Sequence, residues 1–297
     1  LEGSCFKITP GMAPDLHRCC AEVKAALGFE EPVSFFVQNS PELNCAAIPR
    51  AEETHEHIVM INSGLVERFD DAELRFVIGH EFGHLMSRNA ELSRIIEFVF
   101  PGEKVLPLLL VNRITLWRQL AELSSDRYGF VASPSLASCV SAFFKLASGL
   151  EPKRITFNPD AYLEEMTAAL AYPEKEGAGD RSTHPVNPVR VKALELFAGS
   201  ALYRDVAARR EPKGDPELDA GMERLVGMLV DRGYSELDQH RRDFIAAGGI
   251  IVSGIDDGIN AAEADPAAPN SPERFTVATP SAGSTPSSSR PDARRSR

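Results

Sequence analysis

The order of hydrophobic and polar residues predicts one helix and then a small sheet in the first part of the chain. Hydrophobic residues recur with helical spacing over 14–27, and Gly28 is placed to end this helix. Three short runs rich in β-branched and aromatic or small apolar residues follow. They predict strands over 33–37, 45–48 and 58–61.

Longer helical patterns dominate the chain after this sheet. Asp70 and Glu73 have the spacing of a capping box, which predicts the start of a helix that runs to about Arg88. Further helices are predicted over 112–131, after Ser135, and over 188–198, 217–231 and 235–247. Short helix and loop alternate over 155–180. The pattern as a whole predicts an α+β fold that is mainly helical.

Composition divides the chain into three parts. The segment 211–215 is rich in Pro, Gly and charge and is typical of a linker. We therefore expect a main domain over 1–210 and a small helical appendage over 211–262, which is a candidate surface for a protein partner. The tail 263–297 is rich in Pro, Ser and Ala and is predicted to be disordered, because it offers little apolar surface to bury.

The charge and the hydropathy exclude some function classes. The 297 residues contain 32 Lys+Arg and 43 Asp+Glu, a formal net charge of −11, which argues against a nucleic-acid-binding protein. The strongly apolar segment 105–111 is too short for a transmembrane span, and we expect none elsewhere. We see no signal peptide, although a start at Leu1 rather than Met is consistent with a segment missing before it.

The cysteines favour a reducing compartment. There are five, and their spacing fits neither a disulfide framework nor a Cys-x-x-Cys metal site. We therefore expect reduced thiols in a cytoplasmic protein.

The most informative motif is His-Glu-x-x-His, formed by His80, Glu81 and His84 within the predicted helix 70–88. Residues four apart lie on one helix face, so the two imidazoles can bind one Zn²⁺. Zinc activates water and polarises a carbonyl, and Glu81 is placed to accept the proton and to pass it to a leaving amine. The alternative is a chance occurrence of the motif, but its position in an amphipathic helix favours the zinc site.

A catalytic zinc needs a third protein ligand, and the predicted helix 112–131 offers one. Glu122 and Asp126 are four residues apart and point the same way. We predict that Glu122 is the third ligand and that Asp126 accepts a hydrogen bond from a ligating histidine. Taken alone, such a pair is usually a solvated helix face.

Together these motifs resemble the zinc metallopeptidases of the HtpX and CAAX-prenyl-protease type, which are gluzincins. The resemblance covers about residues 30–200. The segments that carry it are Ser63–Leu65, Asp71–Leu74, Gly79–His84, Glu122 with Asp126, Ser182–Pro185 with Arg190, and Asn44 before two small residues.

The resemblance implies a zinc metalloendopeptidase with one Zn²⁺ per chain, a zincin-like catalytic domain and a small antiparallel sheet. Many relatives carry transmembrane segments, and because we predict none here we expect a soluble version. The edge strand of this sheet would pair with an extended peptide or protein substrate, with Asn44 and Ala46 beside it. It also implies that His184 stabilises the oxyanion and that Arg190 anchors the site. The alternative for His184 is a structural histidine before a helix.

Two other function classes remain open at this point. One is a catalytically silent scaffold or regulatory protein that keeps the zinc fold and acts through its helical C-terminal region. The other is a hydrolase of non-peptide amides. The presence of Glu81 favours an enzyme over a scaffold. Cys45 replaces a commoner residue near the edge strand, where it is either a packed side chain or an inhibitory thiolate.

Overall fold

The computed structural model describes residues 5–50, 55–101, 108–150, 158–171 and 187–232. Its strands are β1 (Cys5–Lys7), β2 (Val33–Gln38), β3 (Cys45–Ile48) and β4 (His57–Asn62). Its helices are α1 (Pro14–Ala26), α2 (Ser63–Arg68), α3 (Asp71–Met86), α4 (Asn89–Val99), α5 (Leu108–Ala132), α6 (Leu136–Ser148), α7 (Pro159–Ala171), α8 (Asn187–Gly199), α9 (Ala201–Ala207) and α10 (Pro216–Arg232). The predicted α+β, mainly helical fold is confirmed.

The strands form one sheet in the order β1-β2-β4-β3. The β1–β2 and β3–β4 pairs are antiparallel, whereas β2 and β4 are parallel, with Val33 opposite His57. The sheet is therefore mixed rather than wholly antiparallel as expected. In the sequence β3 comes between β2 and β4, and it runs antiparallel to β4, so β4 has the same direction as β2 when it pairs with it. This order leaves β3 at an edge of the sheet.

Helix α3 begins where the sequence predicts. The Asp70 side chain accepts hydrogen bonds from the backbone N–H groups of Ala72 and Glu73, and Glu73 accepts one from the N–H of Asp70. Glu73 is also buried, where it accepts hydrogen bonds from Lys145 and Ser141 of α6. These contacts fix the start of α3 against α6.

Three glycines allow α3 to lie very close to α5. A Cβ atom at Gly79 would lie 2.7 Å from the Cβ of Ala132, and one at Gly83 would lie 2.7 Å from the Cα of Ser125. A Cβ at Gly129 of α5 would lie 2.7 Å from the carbonyl oxygen of Phe76. Real side chains do not fit at such distances, so the backbones can approach only because these positions have none. This close crossing sets the distance between side chains on the two helices.

The other predicted elements are confirmed with shifted ends, as for α5, which begins at Leu108 rather than Asn112. Elements β1, α2, α4 and α9 were not predicted. The predicted appendage starts with α10, whose Leu225 and Leu229 pack with Leu123 and Val189 on α5 and α8. The domain limits at 210 and 262 stay predictions, and the helix 235–247 and the tail 263–297 lie outside the described residues.

Two predictions about composition can be compared with the structure. All five cysteines are free thiols. Among the helices in the described ranges, none has the length and apolar character that crossing a membrane would require.

Candidate metal centre

Three side chains from α3 and α5 meet at one point. The Nε2 atoms of His80 and His84 lie 3.1 Å apart. Glu122 reaches both of them, with 3.4 Å between its Oε2 and His80 Nε2 and 3.3 Å between its Oε1 and His84 Nε2. Within the ranges that the structure describes, this is the one group of three or more His, Cys, Asp or Glu residues that could hold a metal ion.

The spacing of these atoms fits zinc. Zinc binds His nitrogen and carboxylate oxygen at about 2.0–2.1 Å in a tetrahedral arrangement, in which neighbouring ligand atoms are about 3.3 Å apart. The three measured separations are 3.1, 3.3 and 3.4 Å. Two imidazoles and one carboxylate also form a donor set of catalytic zinc sites, with a fourth position left open.

Asp126 fixes the orientation of His80. His80 Nδ1 lies 2.9 Å from Asp126 Oδ1, so the ring donates its Nδ1–H to the carboxylate and turns Nε2 toward His84 and Glu122. Burial alone would lower the pKa of His80, but the hydrogen bonds to Asp126 and Glu122 raise it to about 9. A histidine that ligates zinc must be neutral at Nε2, so the metal has to displace a proton here.

Arg190 of α8 holds Asp126 in turn. Its Nε and Nη2 atoms donate to Asp126 Oδ2 and Oδ1 at 2.9 and 2.6 Å, and Nη2 also lies 3.7 Å from Glu122 Oε2. The guanidinium stacks over the Phe143 ring, 4.8 Å from its centroid. Burial would raise the pKa of Asp126, but the charge and hydrogen bonds of Arg190 and the contact with His80 hold it below its usual range. Asp126 is therefore an ionised acceptor.

Glu81 lies on the side of α3 that faces the sheet. The backbone N–H of Ala47 in β3 donates to Glu81 Oε2 at 2.8 Å. Burial raises the pKa of Glu81, and the nearby His80 and His84 and the Ala47 N–H only partly oppose this. A carboxylate with a raised pKa is a better proton acceptor near neutral pH.

The register of β3 determines which of its backbone groups face outward. Asn62 N–H donates to the Asn44 carbonyl at 3.0 Å, so Asn44 is bonded to β4. Antiparallel pairs alternate, which directs the backbone groups of Ala46 toward β4 as well and those of Cys45 and Ala47 away from it. The Ala46 side chain is exposed on the outer face of the sheet.

Cys45 does not join the metal group. Its side chain is buried, and burial together with the negative charge of Glu81 raises the pKa of the thiol well above its usual value. The side chain is thus a neutral packed thiol in this structure, rather than an inhibitory thiolate.

Asn89 lies beside His84, a contact that the sequence analysis did not predict. Its side-chain Nδ2 lies 3.3 Å from His84 Nδ1. Arg88 has a left-handed backbone (φ 53°), and this turn between α3 and α4 returns Asn89 to the second histidine. Metal binding through His84 Nε2 leaves an N–H at Nδ1, which the amide oxygen of Asn89 can accept when the amide is turned over. No periodic pattern in the sequence indicates this contact.

The structure brings together His80, Glu81, His84, Glu122, Asp126 and Arg190. His184 lies outside the described residues, so its role stays a prediction, as does the role of Asn44 and Ala46 beside a substrate. The cytoplasmic localisation also stays a prediction.

Comparisons with known proteins are consistent with this site. Residues 10–101 match the family description "Peptidase family M48", a segment that includes His80, Glu81 and His84. The chain is 23% identical over 225 residues to the plastoglobule-localized metallopeptidase 48, chloroplastic, of Arabidopsis thaliana, covering 71% of this chain and 64% of that protein. The chain thus spans less than two thirds of the length of this relative.

Bacterial relatives give a similar result. The chain is 25% identical over 222 residues to a protease HtpX homolog of Gemmatimonas aurantiaca, covering 64% of this chain and 78% of that protein. It is 23% identical over 227 residues to a protease HtpX homolog of Paenarthrobacter aurescens, covering 66% of this chain and 77% of that protein. No solved structure matches the chain.

The matched family and the names of the relatives are those of peptidases, in agreement with the prediction of an enzyme. The resemblance predicted from the sequence is thereby confirmed: over residues 10–101 this chain is similar to peptidase family M48, and over most of its length it is similar to proteins named as HtpX proteases and as a plastoglobule metallopeptidase.

Proposed function

We infer that the protein is a zinc-dependent metalloendopeptidase that hydrolyses peptide bonds in peptide or protein substrates. The observation that carries this proposal is the meeting of His80, His84 and Glu122, at distances that suit zinc, directly beside Glu81. When bound, Zn²⁺ would supply Lewis acidity, which polarises a carbonyl and lowers the pKa of water to about 7.

Glu81 is the proposed general base and acid. Its carboxylate accepts a proton from the attacking water and then donates it to the leaving amine. The Ala47 N–H orients the carboxylate at the edge of the sheet, and burial adjusts its pKa toward neutral pH. The protein groups thus hold the base in place before a substrate arrives.

The open edge of β3 is the proposed binding site for the substrate backbone. An extended peptide can add to this edge as a further strand and bond with the outward backbone groups of Cys45 and the outward carbonyl of Ala47, whose N–H is already bonded to Glu81. Asn44 and Ala46 would then flank it, and Glu81 would lie within reach of the paired segment. By resemblance, His184 is the proposed group that stabilises the oxyanion.

Arg190 is proposed as a positioning residue rather than a group that touches the substrate. Its two hydrogen bonds go to Asp126, and Asp126 orients His80. Its charge also balances the negative charge of Glu122 and Asp126 within the buried site.

The test combines metal content with cleavage of casein by the zinc-loaded full chain. Glu81→Gln should keep stoichiometric zinc and lose activity by about 100-fold or more, because the proton acceptor is removed. Glu122→Gln should lose both activity and zinc affinity, because it removes a proposed metal ligand. The exposed Glu67→Gln is the matched control and should behave as wild type. Retained activity in Glu81→Gln contradicts the assigned role, and a wild-type chain that holds zinc but cleaves nothing favours the scaffold alternative.

A further inference from the structure

The outer face of the sheet, on the side away from α3, carries two apolar rows that end at the open edge of β3. Ile48 is opposite Ile58 of β4, and Ala46 is opposite Met60. Side chains alternate along a strand, so Ala46 and Ile48 lie on one face. Both are exposed, Ile48 by 40%, whereas Ile58 behind it is only 8% exposed. Each row therefore lacks a neighbour on the side where a substrate strand would add.

The hydrogen-bonding register determines how close such a neighbour comes. Asn62 N–H donates to the Asn44 carbonyl, so the backbone groups of Asn44, Ala46 and Ile48 face β4. An antiparallel substrate strand therefore makes non-hydrogen-bonded pairs opposite Ala46 and Ile48. In these pairs the side chains are closest, with Cα atoms about 4.5 Å apart. Two substrate side chains thus pack directly on the outer face of β3.

The two positions differ in the space that they leave. Ile48 is itself β-branched and pairs well across strands with another β-branched side chain. Ala46 has only a methyl group, and the Met60 side chain behind it leans toward β1, where its Sδ lies 3.5 Å from Cys5 Sγ. The row through Ala46 therefore has room for a larger side chain. A charged or amide side chain at either position would lose hydration against apolar groups.

We propose that Ile48 and Ala46 select the substrate sequence at two alternate positions, through apolar side chains on the outer face of the sheet. This inference rests on the proposed function. The residue opposite Ile48 is β-branched, and the residue opposite Ala46 is a large apolar one such as Leu or Phe. Because the strands are antiparallel, the residue opposite Ala46 comes two positions later in the substrate. The neighbouring Arg50 is ion-paired with Glu31 at 2.8 Å, which compensates its charge.

The first test determines the cleaved sequences. The zinc-loaded full chain is incubated with a mixture of blocked decapeptides of random sequence, and mass spectrometry of the products gives the preference at each position from the cleaved bond. Wild type should favour Val and Ile at one position, and Leu and Phe two residues later, each about tenfold over Asn and Asp. Ile48→Lys should change the first preference to Asp and Glu, and Ala46→Leu should change the second to Ala.

A matched control lies at the other edge of the same sheet. Phe6 of β1 is 38% exposed, close to the exposure of Ile48. Phe6→Lys introduces the same charge at an exposed apolar position and should leave both preferences as in wild type. Ile48→Thr keeps the β-branch with a smaller change, and it should lower the preference for Val about threefold.

The second test does not require cleavage. Anisotropy of dye-labelled octapeptides measures binding to the zinc-loaded Glu81→Gln chain. A peptide of alternating Ser and Val should bind about tenfold more tightly than one of alternating Ser and Asn, and Ile48→Lys should reduce this ratio to less than about threefold. A peptide of alternating Ser and Glu should gain about tenfold in affinity in the Ile48→Lys chain.

The outcomes separate this inference from the proposed function. If the chain cleaves peptides but Ile48→Lys, Ile48→Thr and Ala46→Leu leave the preferences unaltered, the two positions are wrong while the peptidase assignment stands. Reversed order of the two positions in the substrate also overturns the inference, as does the same shift in Phe6→Lys. If wild type cleaves neither the mixture nor casein, the proposed function fails, and anisotropy still decides the role of Ile48. If the Val peptide does not bind more tightly than the Asn peptide, the inference is overturned.

Discussion

Arg190 Nη2 and Asp126 Oδ1 lie 2.6 Å apart, in a two-point contact that joins α8 to α5. Asp126 is only 2% exposed and also accepts the hydrogen bond from His80 Nδ1. One carboxylate therefore connects a ligand on α3 with a cation on α8. Removal of the side chain of His80, Asp126 or Arg190 leaves a buried polar group without one of its partners, which is costly in a low-dielectric site.

Asp126→Asn should weaken zinc binding by about 10–100-fold, because His80 and Arg190 must then share one neutral amide oxygen in place of a carboxylate. It should also lower the free energy of unfolding of the metal-free protein by about 3 kcal/mol, since the buried Arg190 then keeps only the more distant Glu122 as a counter-charge. Chelator competition measures the first effect and urea denaturation the second. The exposed Asp160→Asn is the control. Unchanged zinc affinity in Asp126→Asn would show that the contact does not orient the ligand.

Gly83→Ala should destabilise the protein by about 1–3 kcal/mol, because its methyl group would force α3 away from Ser125 of α5. The same displacement moves His80 and His84 away from Glu122, so zinc affinity should fall too. Gly227→Ala on the exposed face of α10 is the matched control. Its Cβ meets nothing within 4 Å, so this change should stabilise the helix by up to about 1 kcal/mol. Urea denaturation with and without zinc measures the stability of both variants. If Gly83→Ala and Gly227→Ala changed the free energy of unfolding equally, the close crossing of α3 and α5 would not explain the effect of Gly83→Ala.

Local patterns predicted those parts of the structure that depend on neighbours in the sequence. The capping box of Asp70 and Glu73 forms as predicted, and Ser135 caps α6. The four-residue spacings in α3 and α5 likewise placed His80 with His84 and Glu122 with Asp126 on common faces. Each of these features needs only helix geometry, which the sequence determines directly.

Features that depend on tertiary packing could not be predicted in the same way. The parallel pairing of β2 with β4 arises because β3 lies at the sheet edge rather than between them, and no alternation of residues encodes this order. Helix α4 was not predicted although Leu92, Ile95, Ile96 and Val99 recur at helical spacing, and most of its apolar side chains are exposed, Phe98 by 87%. The resemblance implied that Arg190 anchors the site, but it did not indicate the contact of Arg190 with Asp126, which lies 64 residues away along the chain.

Lys145→Met should cost about 3–5 kcal/mol of unfolding free energy, because Glu73 then keeps a buried charge without its cation. Glu73→Gln combined with Lys145→Met should restore part of this loss. The zinc affinity of the folded protein should be unchanged, since this ion pair lies two turns of α3 before His80. Arg18→Met breaks the exposed ion pair with Asp15 and should cost less than about 1 kcal/mol. Urea denaturation compares these three variants with wild type, and a small effect of Lys145→Met would show that water reaches Glu73.

The metal-free protein should lose stability as the pH rises from about 6.5 to about 9. Burial opposes the charged form of His80, but its hydrogen bonds to Asp126 and Glu122 raise the pKa from 6.5 to about 9. A histidine whose pKa is raised by folding contributes stability that is fully present below the unfolded-state pKa and is lost as the pH passes the folded-state pKa. The difference corresponds to about 3 kcal/mol. Urea denaturation of chelator-treated protein across this interval measures it, and Asp126→Asn should flatten the profile. Zinc requires the neutral ring, so zinc affinity should instead increase over the same interval. A metal-free profile that is flat in wild type would contradict protonation of His80 in the folded protein.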